Sequence, residues 1–139
     1  MKITKGLPFP VPQQQPDSYL NQANPVSATL YPVLPVTSNV RLQILAGRIT
    51  WAVTQPTPLE LVVTIDGQTI IFSLPNPVTN TAYEAWVSPL ETVGDLRILD
   101  TSRSQPFILE GRSVQVQARI TWAVTQPTPL ECRVKWARW

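Results

Sequence analysis

The chain has 139 residues, of which 43% are apolar and 14% charged, with fifteen prolines, five glycines and a net charge of +2. This length predicts a single domain. The charges are few and scattered, which excludes the basic surface typical of nucleic-acid binding, and no run approaches the ~20 apolar residues that span a bilayer. We therefore expect neither a nucleic acid nor a membrane as a partner.

Residues 1–38 differ in composition from the rest of the chain, with seven of the fifteen prolines and the run Gln13-Gln14-Gln15. Proline fixes φ and removes a backbone donor, so this stretch should be extended rather than helical. It is too apolar for a solvated linker. We predict an arm that lies on a surface, its own or a neighbour's, with a disordered tail as the alternative. Its apolar anchors would be Phe9, Tyr19, Leu30, Tyr31 and Leu34.

Residues 39–139 carry the patterns of β-strands. The clearest runs from Ser113 to Thr125, where apolar and polar residues alternate, which predicts one buried and one exposed face. Asp66-Gly67 between two alternating runs predicts a β-hairpin with a type I′ turn. The apolar positions change parity near Gly47, which predicts a bulge or bend there.

Thirteen residues, RITWAVTQPTPLE, occur twice, at 48–60 and, 71 positions later, at 119–131. Each copy predicts a strand, a loop and the start of a second strand, so the domain should contain two equivalent units, 48–66 and 119–137, related by an approximate two-fold axis. Facing strands could bring each arginine of the repeat near a glutamate. The two proline-stiffened loops are candidate contact surfaces, although their prolines could simply terminate edge strands. The predicted contact residues there are Gln55, Pro56, Pro58, Gln126, Pro127 and Pro129.

These elements add up to eight or nine short strands separated by turn residues. That number and spacing predict an all-β fold, specifically a two-sheet sandwich of jelly-roll type with an extended Pro-rich N-terminal arm.

Several residue types on which catalysis and metal binding depend are missing or scarce. Histidine is absent, which removes the commonest general base and most zinc sites. The single cysteine, Cys132, cannot form an internal disulfide and falls at an inward strand position, so we predict a small buried hydrophobe. Carboxylate pairs remain as a route to a glycosidase, with Glu84 predicted to face outward; the candidates are Asp66, Glu84, Asp95, Asp100 and Glu110. None has a flanking signature, so we predict no catalytic residue, metal or cofactor.

The aromatic residues divide by strand parity. Trp51 and Trp122 fall on the apolar parity and should lie in the core, whereas Trp86 and Trp139 fall on the outward parity. Outward-facing tryptophans are candidates for stacking on a ligand or a partner protein, and Tyr83 is a further candidate for stacking on a sugar.

The segments LPVTSNVRLQILAGRITWAVTQPTPLELVVTIDGQTI and FILEGRSVQVQARITW resemble the small all-β structural proteins of tailed-bacteriophage virions, such as capsid decoration proteins. The resemblance implies a non-enzymatic domain that forms a homo-oligomer on a capsid or other virion protein, with its arm across a neighbouring subunit. The alternative is a carbohydrate-binding or receptor-binding module on an extracellular surface. The predicted location is accordingly the virion.

Overall fold

The computed structural model describes residues 12–49, 58–74, 81–87, 94–98, 109–121 and 129–139. These residues form nine strands and no helix. Among them there is therefore no helix that could cross a membrane. The strands are β1 (Gln13–Gln14), β2 (Ser18–Gln22), β3 (Tyr31–Ile49), β4 (Leu59–Ile65), β5 (Gln68–Leu74), β6 (Tyr83–Val87), β7 (Gly94–Ile98), β8 (Leu109–Ile120) and β9 (Leu130–Arg138). The all-β class is confirmed. Two of the nine described strands, β1 and β2, lie in the region predicted as an arm, and β3 is 19 residues long rather than short.

All nine strands belong to one hydrogen-bonded sheet, in which the long strand β3 pairs with three others, β6, β8 and β9. The first part of β3, Tyr31–Leu42, pairs with β8, and the second part, Val40–Ile49, pairs with β9. β6 pairs with β3 at Ala46 and Gly47, and the path continues through β7, β5 and β4 to β8. Every pairing is antiparallel except that of β5 with β7. The division into two separate sheets stays a prediction.

The described part of the N-terminal region lies on this chain's own sheet. Both β1 and β2 pair with β9, and the Ser18 hydroxyl donates a 2.6 Å hydrogen bond to the Val33 carbonyl. β3 begins at Tyr31 and runs through the expected domain boundary at residue 38, with Val33 and Leu34 buried in the core. Residues 1–11, including Phe9, lie outside the described residues, so the extended arm stays a prediction there.

The change of parity in β3 occurs at Gln43, four residues before the predicted position. Leu42 faces Trp136 and Ile44 faces Lys135, so Gln43 is the extra residue of a β-bulge. The prediction of a bulge at Gly47 was therefore wrong. The absence of a side chain at Gly47 instead leaves space for two neighbouring side chains. A Cβ there would lie 3.3 Å from Sγ of Cys132 and 3.4 Å from Cδ2 of Leu61.

The core contains the alternating positions that the sequence pattern indicated. In β8, Val114, Val116, Ala118 and Ile120 are fully buried, as predicted. They pack in one cluster with residues of the other long strands, the largest fully buried being Phe72, Leu42, Leu45, Ile49, Leu59, Leu61 and Leu130. Each such side chain contributes roughly 1.5–3 kcal/mol through its burial. One continuous core therefore joins the two halves of the sequence.

The Asp66–Gly67 hairpin is confirmed and is also tied to β8. Asp66 and Gly67 have φ values of 48° and 82°, as a type I′ turn requires, and Ile65 pairs with Gln68 across the turn. The Asp66 carboxylate accepts a 2.9 Å hydrogen bond from the Ser113 amide, and the Asp66 amide donates one of the same length to the Ser113 carbonyl. This aspartate therefore has a structural role in the turn.

Candidate functional site

The two copies of the thirteen-residue repeat contact each other through crossed ion pairs. Arg48 of the first copy bonds through Nε to Glu131 of the second, and Arg119 of the second copy bonds to Glu60 of the first. The second contact is bidentate, with distances of 2.8 Å and 3.3 Å, and the hydrogen bond to Glu60 raises the pKa of Arg119. Each arginine thus lies near a glutamate, as predicted, and that glutamate belongs to the other copy.

The strand register explains the crossing. Ile49 pairs with Leu130, and Ile120 pairs with Leu59, so each copy's first strand ends beside the start of the other copy's second strand. Val40 pairs with Gly111, its own counterpart 71 residues later. Strand pairing is therefore the same when the two copies are exchanged, which supports the approximate two-fold relation between them.

The same relation extends to strands outside the repeat. β2 pairs with the outer edge of β9 as β5 pairs with the outer edge of β4, so that Leu20 faces Cys132 where Phe72 faces Leu61. On the opposite side of these strands, Tyr19 corresponds to Ile71, and both are exposed, at 68% and 40%. The two halves therefore share a backbone plan but present different side chains.

A groove of about 520 Å³ lies over the first ion pair. Three strands, β2, β9 and β3, supply most of its lining, and Ala82, which precedes β6, completes it. The polar and aromatic groups that line it are Tyr19, Asn21, Arg48, Glu131 and Arg133. The prediction of contact residues identified only the tyrosine of this groove.

Leu20, Gly47 and Cys132 also line the groove, and all three come from the inward-facing register positions. Burial raises the pKa of the Cys132 thiol, and the nearby Glu131 carboxylate adds to the increase. The thiol is therefore neutral at physiological pH, because the charged form would be both desolvated and repelled. Cys132 is a buried hydrophobe, as predicted, and contributes packing rather than nucleophilic chemistry.

The predicted contact residues of the N-terminal region fall into three environments. Tyr19 and Leu30 are exposed, and Tyr31 is half-buried with its hydroxyl accepting a hydrogen bond from the Val26 amide. Leu34 is 2% exposed and belongs to the core, so its place among the surface contact residues is corrected. Its burial follows from the pairing of β3 with β8, which the composition of the segment did not reveal.

The repeat loops lie mostly outside the described residues. Pro58 and Pro129 are described and half-buried at matched positions just before β4 and β9. Gln55, Pro56, Gln126 and Pro127 fall outside, as do Trp51 and Trp122. The backbone of Trp86 lies in β6, but its side chain is outside the described set, whereas Trp139 is half-buried with its amide bonded to the Asn39 carbonyl.

The candidate catalytic carboxylates do not form a described pair in a cleft. Glu84 is 6% exposed, so the prediction that it faces outward was wrong; its neighbours Tyr83 and Ala85 are buried as well, because β6 is covered on both faces here. Glu110 pairs with Arg41 at 3.0 Å, and Asp66 holds the hairpin. The side chains of Asp95 and Asp100 are outside the described residues, and no cluster of possible metal ligands occurs within them.

Comparisons with known proteins found no matching family model, no similar curated protein and no similar solved structure.

Proposed function

We propose that this chain is a non-enzymatic structural protein that acts through protein–protein contacts, with copies of itself and with another virion protein, as a capsid decoration protein does. The distribution of exposed apolar side chains supports the proposal. Four of the five large exposed hydrophobes recorded for the described residues lie between positions 19 and 36, namely Tyr19, Val26, Leu30 and Val36. We call residues 19–36 the contact segment. We propose that these four side chains form part of one apolar contact surface, since a contiguous exposed apolar patch is typical of protein–protein contacts.

The contact segment is held in place by one hydrogen bond to β8 and by another within the segment itself. The Ala28 amide donates a 2.8 Å bond to the Ile120 carbonyl, and the Val26 amide donates one of the same length to the Tyr31 hydroxyl. Pro25, which precedes Val26, is buried. A segment fixed in this way loses little conformational entropy on docking, which favours binding through its exposed side chains.

For the finer fold we propose the jelly-roll-like sandwich that the strand count predicted. Two observations support it. β3 pairs with β8 through its first part and with β9 through its second part, as a strand shared between two layers would. Cδ2 of Leu61, from β4, lies 3.4 Å from the Cβ position at Gly47 in β3, although these two strands do not pair. The virion setting is proposed on the sequence resemblance.

The solution mass of the chain tests the proposal. We expect the full chain to form a defined oligomer by light scattering, and a variant with Val26→Asp and Val36→Asp to be a folded monomer. Ile71→Asp is the matched control, because Ile71 is an exposed hydrophobe outside the contact segment. A monomeric full chain, or equal dissociation of both variants, would contradict self-assembly through this segment. Truncation is unsuitable, because β2 and the buried Val33 belong to the fold.

The second candidate is the carbohydrate-binding or receptor-binding module. Of the aromatic platforms considered for it, Tyr83 is 5% exposed and is excluded. The observation that favours this candidate is instead the groove beside Tyr19.

A further inference from the structure

The groove beside Tyr19 is built from two neighbouring rows of side chains. One row runs Tyr19, Arg133 and Ala46 across β2, β9 and β3, and the next runs Asn21, Glu131 and Arg48. Side chains in such rows lie on the same face of a sheet in register, about 5 Å apart between strands. The volume of about 520 Å³ is within the range of pockets that hold small molecules.

The groups in the groove match the two chemical features of a sugar. A pyranose ring has an apolar C–H face, and the ring of Tyr19, which is 68% exposed, offers a flat surface for it. The hydroxyls of a sugar both donate and accept hydrogen bonds. Asn21 can do both, Arg133 donates and Glu131 accepts.

The charges of the groove argue against an anionic ligand. Glu131 is bonded to Arg48, and Asp17 lies 3.9 Å from Nε of Arg133, so each guanidinium has a carboxylate beside it. A site with balanced charges has little net attraction for an anion. A wholly apolar ligand would in turn remove water from these polar groups without replacing their hydrogen bonds, which is costly.

We propose that this groove binds a short neutral oligosaccharide, with Tyr19 stacked on a pyranose ring and Asn21, Arg133 and Glu131 bonded to its hydroxyls.

The other half of the chain supplies a control within the same molecule. At the corresponding register positions, Ile71 stands for Tyr19, Ser73 for Asn21 and Val62 for Arg133. The backbone arrangement and the arginine–glutamate pair are retained there, but the aromatic ring and the second arginine are absent. The side chains, and not the strand plan, therefore distinguish the groove as a sugar site.

Titration of the full chain with maltose, cellobiose and lactose, followed by saturation-transfer NMR, tests the proposal. We expect at least one of these disaccharides to bind, Tyr19→Ala to weaken that binding about tenfold or more, and Ile71→Ala to leave it unchanged. Failure of all three sugars to bind, or an equal loss in both variants, would overturn the proposal. Preference for an acidic disaccharide over all three would also overturn it.

The assembly proposal can fail independently of this one. The variant with Val26→Asp and Val36→Asp should keep sugar binding, because neither residue lines the groove. Loss of sugar binding in that folded variant would place the ligand at Val26 or Val36, outside the groove lining, and overturn the groove as its site.

Discussion

Replacement of Arg48 tests the crossed ion pairs directly. Arg48 in β3 pairs with Glu131 in β9, so Arg48→Glu places two carboxylates opposite each other. The side chains of the native pair are 45% and 27% exposed, so losing it should cost about 0.5 kcal/mol, and the new repulsion should add a similar amount. We therefore expect the free energy of unfolding to fall by about 1 kcal/mol, measured by urea denaturation.

The choice of second substitution separates crossed pairing from pairing within one copy. Adding Glu131→Arg restores opposite charges and should recover most of the lost stability. Adding Glu60→Arg, which changes the glutamate of the same copy, should lower stability further, because Glu60 is bonded to Arg119. Rescue by Glu60→Arg, or equal rescue by both substitutions, would refute the crossed arrangement.

Three further predictions concern the ion pairs and the groove lining. Glu60→Gln should lower the free energy of unfolding by about 1 kcal/mol and Glu131→Gln by about half as much, because the Glu60 side chain is 18% exposed and that of Glu131 27%; equal losses in urea would contradict this. Gly47→Ala should lower the free energy of unfolding by about 1–2 kcal/mol, since its Cβ would crowd Sγ of Cys132. Adding Cys132→Ala should relieve part of that loss, and strictly additive losses from the two substitutions would argue against the contact. The free energy of unfolding should fall as pH rises above about 8.5, because the unfolded chain then releases the thiol proton that the folded chain keeps. The decrease should reach up to about 1.4 kcal/mol per pH unit and should vanish in Cys132→Ala.

The features that sequence reasoning predicted well depend on neighbouring residues. Alternation identified the buried face of β8 from Val114 to Ile120, and Asp66-Gly67 identified the hairpin, because both signals lie within a few residues of the chain. The pairing of β2 with β9 joins residues 108 to 116 positions apart, such as Tyr19 and Arg133. No local pattern records such a contact, so the composition of residues 1–38 predicted an extended segment on a surface but not its pairing with β9.

The errors have the same origin. The bulge at Gln43 is set by the register of β3 against Trp136 and Lys135 in β9. The sequence prediction placed it at position 47 instead, because a glycine stands there. Glu84 was assigned to an exposed face because alternation assumes that one side of a strand meets water, and β6 is buried on both sides at this point. The groove could not be predicted because its two rows of side chains are assembled from three distant parts of the sequence.

The crossed register means that neither copy of the repeat contains the partners of its own strand ends. Ile49 needs Leu130, and Ile120 needs Leu59, so two separate short polypeptides with one copy each would carry every group required for these contacts. The junction has the character of a symmetric dimer interface enclosed in a single chain. Such an interface tolerates change only in matched steps, since a substitution in one copy meets an unaltered residue of the other. The described residues at this junction are identical in the two copies, so one chain forms the same contact twice.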